Sequence, residues 1–270
     1  MPLHFFADLT RDDLTELGSS RSILMLPVAA TEPHGPHLPL GTDIIIAEGH
    51  LAALADAMDD GGPNVVCLPI EAIGASAEHE GFSGVLSQEP DALANRWYEL
   101  LAAGAAMGFR RAVIVSSHGG NSPAVDIAVS WARTRLDMLA ISTAWLRFGQ
   151  PDDLFPPAEL AHGIHGGAIE TSLMQHYAPE LVHEDEIRDF ASDLPAVEEG
   201  TTHLSGFGKH HFGWMSRDLN PEGVVGDATL ASAEKGAASA AHAVEGMTAL
   251  LADIAGFDLN RLRDPGEGRF

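Results

Sequence analysis

Residues 21–43 read RSILMLPVAATEPHGPHLPLGTD, an apolar run that stops at a stiff polar loop. The run from Arg21 to Ala30 is continuously apolar rather than alternating, the pattern of a strand covered on both faces in a parallel sheet. Similar runs follow at Asn64 to Ile70 (NVVCLPI), Arg111 to Ser117 (RAVIVSS) and Leu136 to Trp145 (LDMLAISTAW). Between them lie Ala- and Leu-rich stretches of helical length, Ile44 to Met58, Asp91 to Met107 and Ala124 to Arg135. The order β-α-β-α-β-α-β predicts a layered α/β fold. In open parallel sheets, sites form beyond the carboxyl ends of the strands, so the residues that follow each run are the first candidates for function.

Ser122 is expected to cap the third helix and Pro123 to open it, which places a turn at His118-Gly119-Gly120-Asn121. Beyond Trp145 a Pro-rich stretch, QPDDLFPP, leads to a Gly-rich turn and a helix from about Ala168 to His176. The polar segment from Glu184 to Gly226 is too long for an ordinary connection and predicts flaps or small strands over a site. Ala228 to Ile254 reads as the last major helix. No repeat or low-complexity tract interrupts the chain, and 270 residues suit one domain spanning residues 1–270.

The 39 Asp plus Glu against 15 Lys plus Arg give a net charge of −24, which repels nucleic-acid phosphates and anionic membranes. The N-terminal MPLHFFADLTRDDL is acidic where a signal peptide is basic, and no apolar run reaches the roughly 18 residues needed to span a bilayer. The expectation is a cytoplasmic protein with no nucleic-acid or membrane partner. The single cysteine, Cys67, rules out an internal disulfide and reads as a small core residue.

The loop after the first strand, Thr31-Glu32-Pro33-His34-Gly35-Pro36-His37-Leu38-Pro39-Leu40-Gly41-Thr42-Asp43, is stiffened by proline. It supplies carboxylate and imidazole ligands suited to a divalent ion. No GxGxxG or GxxxxGKS follows the strand, which disfavours nucleotide binding there. Asp43 could equally cap the helix at Ile44, and His37 could be a surface turn residue. Glu32 and His34 have weaker structural reasons to sit at a strand end, where a buried carboxylate and imidazole need partners. His118-Gly119-Gly120-Asn121 reads either as part of a metal site or as a phosphate cradle at a helix N-terminus. His79, in ASAEHEGF, reads as a substrate contact or as a hydrogen-bonded loop residue. His165 and Glu170, in HGIHGGAIETS, would point about 140° apart on one helix. They converge only if His165 lies in the turn before it, which Gly166-Gly167 permits; otherwise Glu170 is a surface acid. His162, His203, His210 and His211 carry no assigned role.

The blocks EPHGPHLPLGTD, SSHGGN, HGGAIETS and GVVGDATLASAEKG, in this order over roughly Leu24 to Gly236, resemble those of the creatininase (creatinine amidohydrolase) family; the first is the specific one. The resemblance implies a three-layer αβα sandwich with a mainly parallel sheet and the active site at the C-terminal strand ends. It further implies one or two divalent ions per chain (Zn, Mn or Fe), hydrolysis of amide-like bonds in a small-molecule substrate, and a homo-oligomer such as a hexamer. By position, Glu32, His34, Asp43 and His118 are implied metal ligands, Glu32 or Asp43 bridging, and His165 an acid/base. His79, Gly119, Gly120 and Asn121 are candidate substrate-binding residues. Two positions depart from creatinine-specific members: Gly120 stands where they carry a glutamate ligand, and Ala161 where they place a tryptophan over the substrate. Glu170 is the candidate replacement ligand and a second catalytic candidate.

The expected reaction is attack on a cyclic amide, amide or formamide carbonyl by metal-bound water, whose pKa falls to about 7, with His165 passing the proton to the leaving nitrogen. Two alternatives remain at this stage. One is C–C cleavage of a cyclic keto-polyol such as a keto-inositol; the other is a non-catalytic metal-binding scaffold subunit.

Overall fold

The computed structural model describes residues 2–58 and 61–263, so the ends of the expected 1–270 domain fall outside the described residues. Its centre is a five-stranded parallel sheet in the order β1-β3-β2-β4-β5, made of β1 (Leu3–Phe5), β2 (Ile23–Val28), β3 (Val65–Cys67), β4 (Arg111–Ser116) and β5 (Leu139–Ala144). Every residue of β2 and β4 is buried, the reason those runs do not alternate. Leu24, Leu26 and Val28 enter one core layer, and Ile23 and Met25 the other. Val28 pairs with Ser116 and Ser116 with Ala144. The carboxyl ends of β2, β4 and β5 therefore finish level, at one rim.

Helices cover both faces. On one lie α1 (Arg11–Leu17), α3 (Pro90–Ala106) and α4 (Ser122–Leu136), filling the layer around Trp97, Leu101 and Phe109. On the other lie α2 (Thr42–Ala57) and α9 (Ala233–Gly256), around Leu54, Met247 and Leu251. The helices α5 (Pro157–His162) and α6 (Ala168–Tyr177) follow the sheet, and α6 packs on α2 and α9. The segment after Glu184 forms short elements: β6 (Asp189–Phe190) paired antiparallel with β7 (Gly226–Asp227), and the single turns α7 (Leu194–Val197) and α8 (Ser216–Leu219). This is the expected αβα sandwich.

Several local expectations are corrected. Ser122 does not cap α4: it is the first helical residue, and neither it nor Asn121 makes a side-chain cap. Asn121 cannot serve because its side chain is committed elsewhere. The last helix begins at Ala233, where Ser232 accepts the Lys235 N–H at 3.2 Å, and Ala228–Leu230 forms a separate 3-10 turn. The strands of the second and fourth runs are shorter than the runs themselves, and β1 and α5 had no readable signal. Cys67 is buried in β3 as expected, and burial pushes its thiol up to about 12. No helix among the described residues is long and apolar enough to cross a membrane.

Candidate metal centre

The rim of the sheet gathers side chains from five separate places in the chain. Glu32 and His34 follow β2, in a loop that turns at Gly35 with φ +79°. Asp43 lies in the first turn of α2, and Gly41, which precedes the helix, offers no side-chain cap, so Asp43 is free to point inward. His79 ends the 3-10 turn Ala77–His79, His118 follows β4, and His165 sits in the turn before α6. Glu170 is in the first turn of α6. The condition for convergence is met: His165 lies outside the helix, and Glu170 folds back to accept the Gly166 N–H at 2.5 Å.

The donor atoms are close. His34 Nε2 lies 3.3 Å from Asp43 Oδ1, 3.8 Å from Glu170 Oε2 and 4.0 Å from Glu32 Oε1. His118 Nδ1 lies 3.2 Å from Glu32 Oε1 and 3.5 Å from Asp43 Oδ2. The two oxygens of Asp43 thus face different imidazoles, the disposition of a bridging carboxylate. Glu32 Oε1 is also 3.5 Å from His79 Nε2 and 3.7 Å from His165 Nδ1. Among the described residues, three groups have ligand atoms within 4.8 Å of one another: Glu32, Asp43 and His118; His34, Asp43 and Glu170; and Glu32, His34 and His165.

Backbone carbonyls fix which imidazole nitrogen faces the cluster. His34 Nδ1–H donates to Glu32 O at 3.1 Å, His118 Nε2–H to Ala75 O at 2.8 Å, and His165 Nε2–H to Pro33 O at 2.9 Å. The opposite nitrogens are directed inward at the carboxylates, as metal-ligating histidines commonly are when a carbonyl holds their other N–H. Both Glu32 oxygens, His34 Nε2 and Asp43 Oδ2 are buried without a hydrogen-bond partner. Buried polar atoms left in that state cost free energy. A divalent cation is the simplest group that fits among these two carboxylates and the imidazole nitrogens of His34 and His118 that face them. A phosphate does not fit, because the same carboxylates repel it.

Electrostatics support the same view. Burial alone would raise the Glu32 carboxyl, but His118, His165 and His34 hold it well below the usual range. Burial dominates at Asp43 and lifts it to about 6 against the pull of His34. Burial opposes protonation of His34 and His118, yet Asp43 beside the first and Glu32 beside the second push each up to about 10. His165 goes the other way, burial and the neighbouring His34 lowering it to about 4, which leaves a neutral imidazole able to accept a proton.

Other candidates land differently. His79 is buried at the rim with Nδ1 unpartnered, and burial pushes it down to about 3. Gly119 has open space where a Cβ would lie. Gly120 is hemmed in: a Cβ there would fall 2.2 Å from Ala75 O and 2.6 Å from Glu78 Oε1. Asn121 is buried and spans strand ends, its Oδ1 accepting the Ala75 N–H and its Nδ2 donating to Ala29 O, both at 3.0 Å. The side chain of Asn121 therefore braces the loop. His37 is buried rather than a surface turn residue; its Nε2–H donates to Gly166 O at 3.0 Å and its ring stacks on Phe190. Glu78, which drew no attention in the sequence, lies 3.5 Å from the outer nitrogen of His118.

Beside His165 and Glu170 opens a cavity of about 370 Å³. Leu146, Leu160, Ile164 and Ile169 supply most of its wall, with Gly149, Gly163 and Gly167 leaving it wide. Ala161, next to the wall residue Leu160, offers no aromatic cover.

Comparison with known proteins agrees with this geometry. The family model described as "Creatininase: Creatinine amidohydrolase" matches residues 7–251. The mycofactocin precursor peptide peptidase of Mycolicibacterium smegmatis is 31% identical over 244 residues, 86% of this chain and 85% of that protein. The 3-dehydro-scyllo-inosose hydrolase of Thermotoga maritima is 26% identical over 262 residues, 92% of this chain and 80% of that protein. A solved manganese form of creatininase has the same fold, with a TM-score of 0.76 at 21% identity over 94% of this chain and 99% of that one. The chain belongs to the creatininase family.

Proposed function

We propose that the protein is a divalent-metal-dependent hydrolase of an amide bond flanked by a bulky apolar group, as in a short peptide or an N-acylated amine. The observation that carries this reading is the set of buried, unpartnered atoms on Glu32, His34 and Asp43, opening beside His165 onto an apolar cavity. Glu32, Asp43 and His118 would hold one ion. His34, Asp43 and Glu170 would hold a second, Glu170 replacing the carboxylate absent at Gly120. Such ions, zinc, manganese or iron being compatible with these donors, supply Lewis acidity and a nucleophile at neutral pH.

The chain's own residues do the rest. The apolar wall of Leu146, Leu160, Ile164 and Ile169 seats the substrate's side chain and excludes water from the bond to be cut. His165 Nδ1, which faces the cluster, takes the proton released as the carbonyl is attacked and returns it to the departing nitrogen. Its Nε2–H bond to Pro33 O keeps that nitrogen facing the reaction.

Cleavage of a keto-polyol is the second reading, favoured by the Thermotoga maritima relative. The cavity weighs against it, since each hydroxyl of a polyol needs a polar partner to offset its desolvation, and beside Leu146, Leu160, Ile164 and Ile169 the wall offers only Gln150, His165 and Glu170 as polar side chains. The test is turnover by zinc- or manganese-loaded protein on a panel of N-acyl amino acids, dipeptides and formamides graded by side-chain size, with a keto-inositol alongside. Cleavage that rises with apolar bulk is expected. Turnover of the keto-inositol alone would overturn the amide reading, and no turnover of any member would favour the scaffold alternative.

A further inference from the structure

Glu159 is a buried carboxylate outside the metal cluster, with no positively charged partner in the ion pairs of the described residues. It hangs from α5 and accepts two backbone N–H groups: that of Ala168, the first residue of α6, at 2.7 Å through Oε1, and that of Asp227 in β7 at 2.9 Å through Oε2. Burying a carboxylate is costly unless hydrogen bonds hold it, and these two come from elements that are 59 positions apart in the chain. Three glycines make the room. A Cβ at Gly163, Gly167 or Gly226 would fall 2.1, 2.5 or 2.8 Å from Glu159 Oε1.

Those glycines bracket His165. Its backbone pairs with Val225, donating N–H to Val225 O at 3.1 Å and accepting Val225 N–H at 2.7 Å, and Val225 directly precedes Gly226. The carboxylate therefore grips both sides of the His165 bridge: the start of α6, which carries Glu170, and the strand that directly follows Val225, the partner of His165. The N-terminal end of α6 also favours a negative charge at this point.

We propose that Glu159 is a positioning residue, a clamp that holds His165 and Glu170 in register with the metal cluster through backbone bonds alone. This rests on the hydrolase reading for its catalytic consequence, though not for its mechanical one. Misplacing a reacting group by about 1 Å can cost about 100-fold in rate, so a clamp of this kind acts on turnover before it acts on affinity.

The test uses Glu159→Gln in the full chain loaded with zinc. Glutamine offers one acceptor where two N–H groups must be met, so its NH2 is forced against Ala168 N–H or Asp227 N–H. Expected are a kcat reduced about 10- to 100-fold with KM nearly unchanged, and amide exchange at Gly166, Ala168 and Asp227 accelerated by about 10-fold or more while β2 and β4 keep their protection. Gly163→Ala, which pushes the carboxylate aside, should accelerate exchange at the same amides and serves for that readout if the first variant fails to fold; because Gly163 also lines the cavity, its KM is not compared. Gly104→Ala, set against Leu24 in the sheet's core, is the stability control and should lower Tm without moving kcat. Unchanged exchange at Gly166 and Ala168 would overturn the clamp, as would a kcat loss matched by Gly104→Ala. If the parent protein cleaves nothing, the hydrolase reading fails by itself and the exchange measurement still decides the clamp.

Discussion

His165 has two roles open to it, and its geometry makes them separable. Its Nδ1 stands within reach of a cation shared with Glu32 and His34, yet burial and His34 disfavour a resident charge on it, as suits a proton carrier. We assign it the proton, because Glu32, Asp43 and His118 would suffice to hold one ion and Glu170, with His34 and Asp43, the other. His165→Ala should keep its ions and lose about 10² to 10⁴ in kcat, the usual range for a general acid/base. Metal analysis beside steady-state kinetics checks this, and a variant emptied of metal would make His165 a ligand instead. Gly120 supports a second expectation. A side chain there meets the carbonyl of Ala75, which is backbone and cannot swing away. Gly120→Glu should therefore fail to install a working ligand and should lower Tm; a stable Gly120→Glu protein with tighter metal binding would show that the loop yields.

Single residues also mark where sequence reasoning reached its limit. Glu32, His34, Asp43 and His118 were readable because each follows a strand or opens a helix at the rim, where the fold class alone says sites form. Glu159 and Glu78 were not. Their significance depends on which backbone atoms from distant segments come to lie beside them, and no local spacing carries that information. The buried, bracing position of His37 is hidden for the same reason, since its partners Gly166 and Thr171 lie more than 120 positions away.

At the scale of elements, the legible parts were those buried on both faces, β2 and β4, and the long helices between them. The three-residue β1 joins the sheet by pairing with β3, an interaction that no pattern within Leu3–Phe5 could reveal. The contact between α2 and α6 holds a further test. His50 of α2 is buried, lies against Trp145 with ring centroids 4.7 Å apart and tilted by 40°, and shares a 2.9 Å hydrogen bond with the Tyr177 hydroxyl of α6. Burial, reinforced by His176 nearby, pushes it down to about 3. The unfolded chain takes up this proton near pH 6.5, and the folded chain only near pH 3. Between those values acid favours unfolding, and the contribution of neutral His50 is fully present only above pH 6.5. Stability should fall on acidification by up to about 1.4 kcal/mol per pH unit from this group. Denaturation of the wild type and His50→Gln at pH 6.5 and 5.5 should show the slope reduced by about that amount in the variant. Equal slopes would mean that His50 does not titrate across folding.

For the whole molecule, the cavity and the cluster together define what can be turned over. Creatinine is small and polar, whereas the wall beside His165 is aliphatic and lacks the aromatic cover that Ala161 forgoes. Its kcat/KM should fall below about 10⁴ M⁻¹s⁻¹, the lower end of the ordinary enzymatic range; a value above that would show that Gly120 and Ala161 do not set specificity. The net charge of −24 adds a long-range preference for cations over anions at every face, consistent with a site that must capture a divalent ion. The most direct test of the account is elemental analysis of active protein and of its Asp43→Ala variant, since Asp43 faces both candidate ion positions. The account predicts one or two divalent ions per chain in the parent and loss of metal together with activity in the variant. Active parent protein free of metal, or a variant that keeps its full metal content, would contradict it.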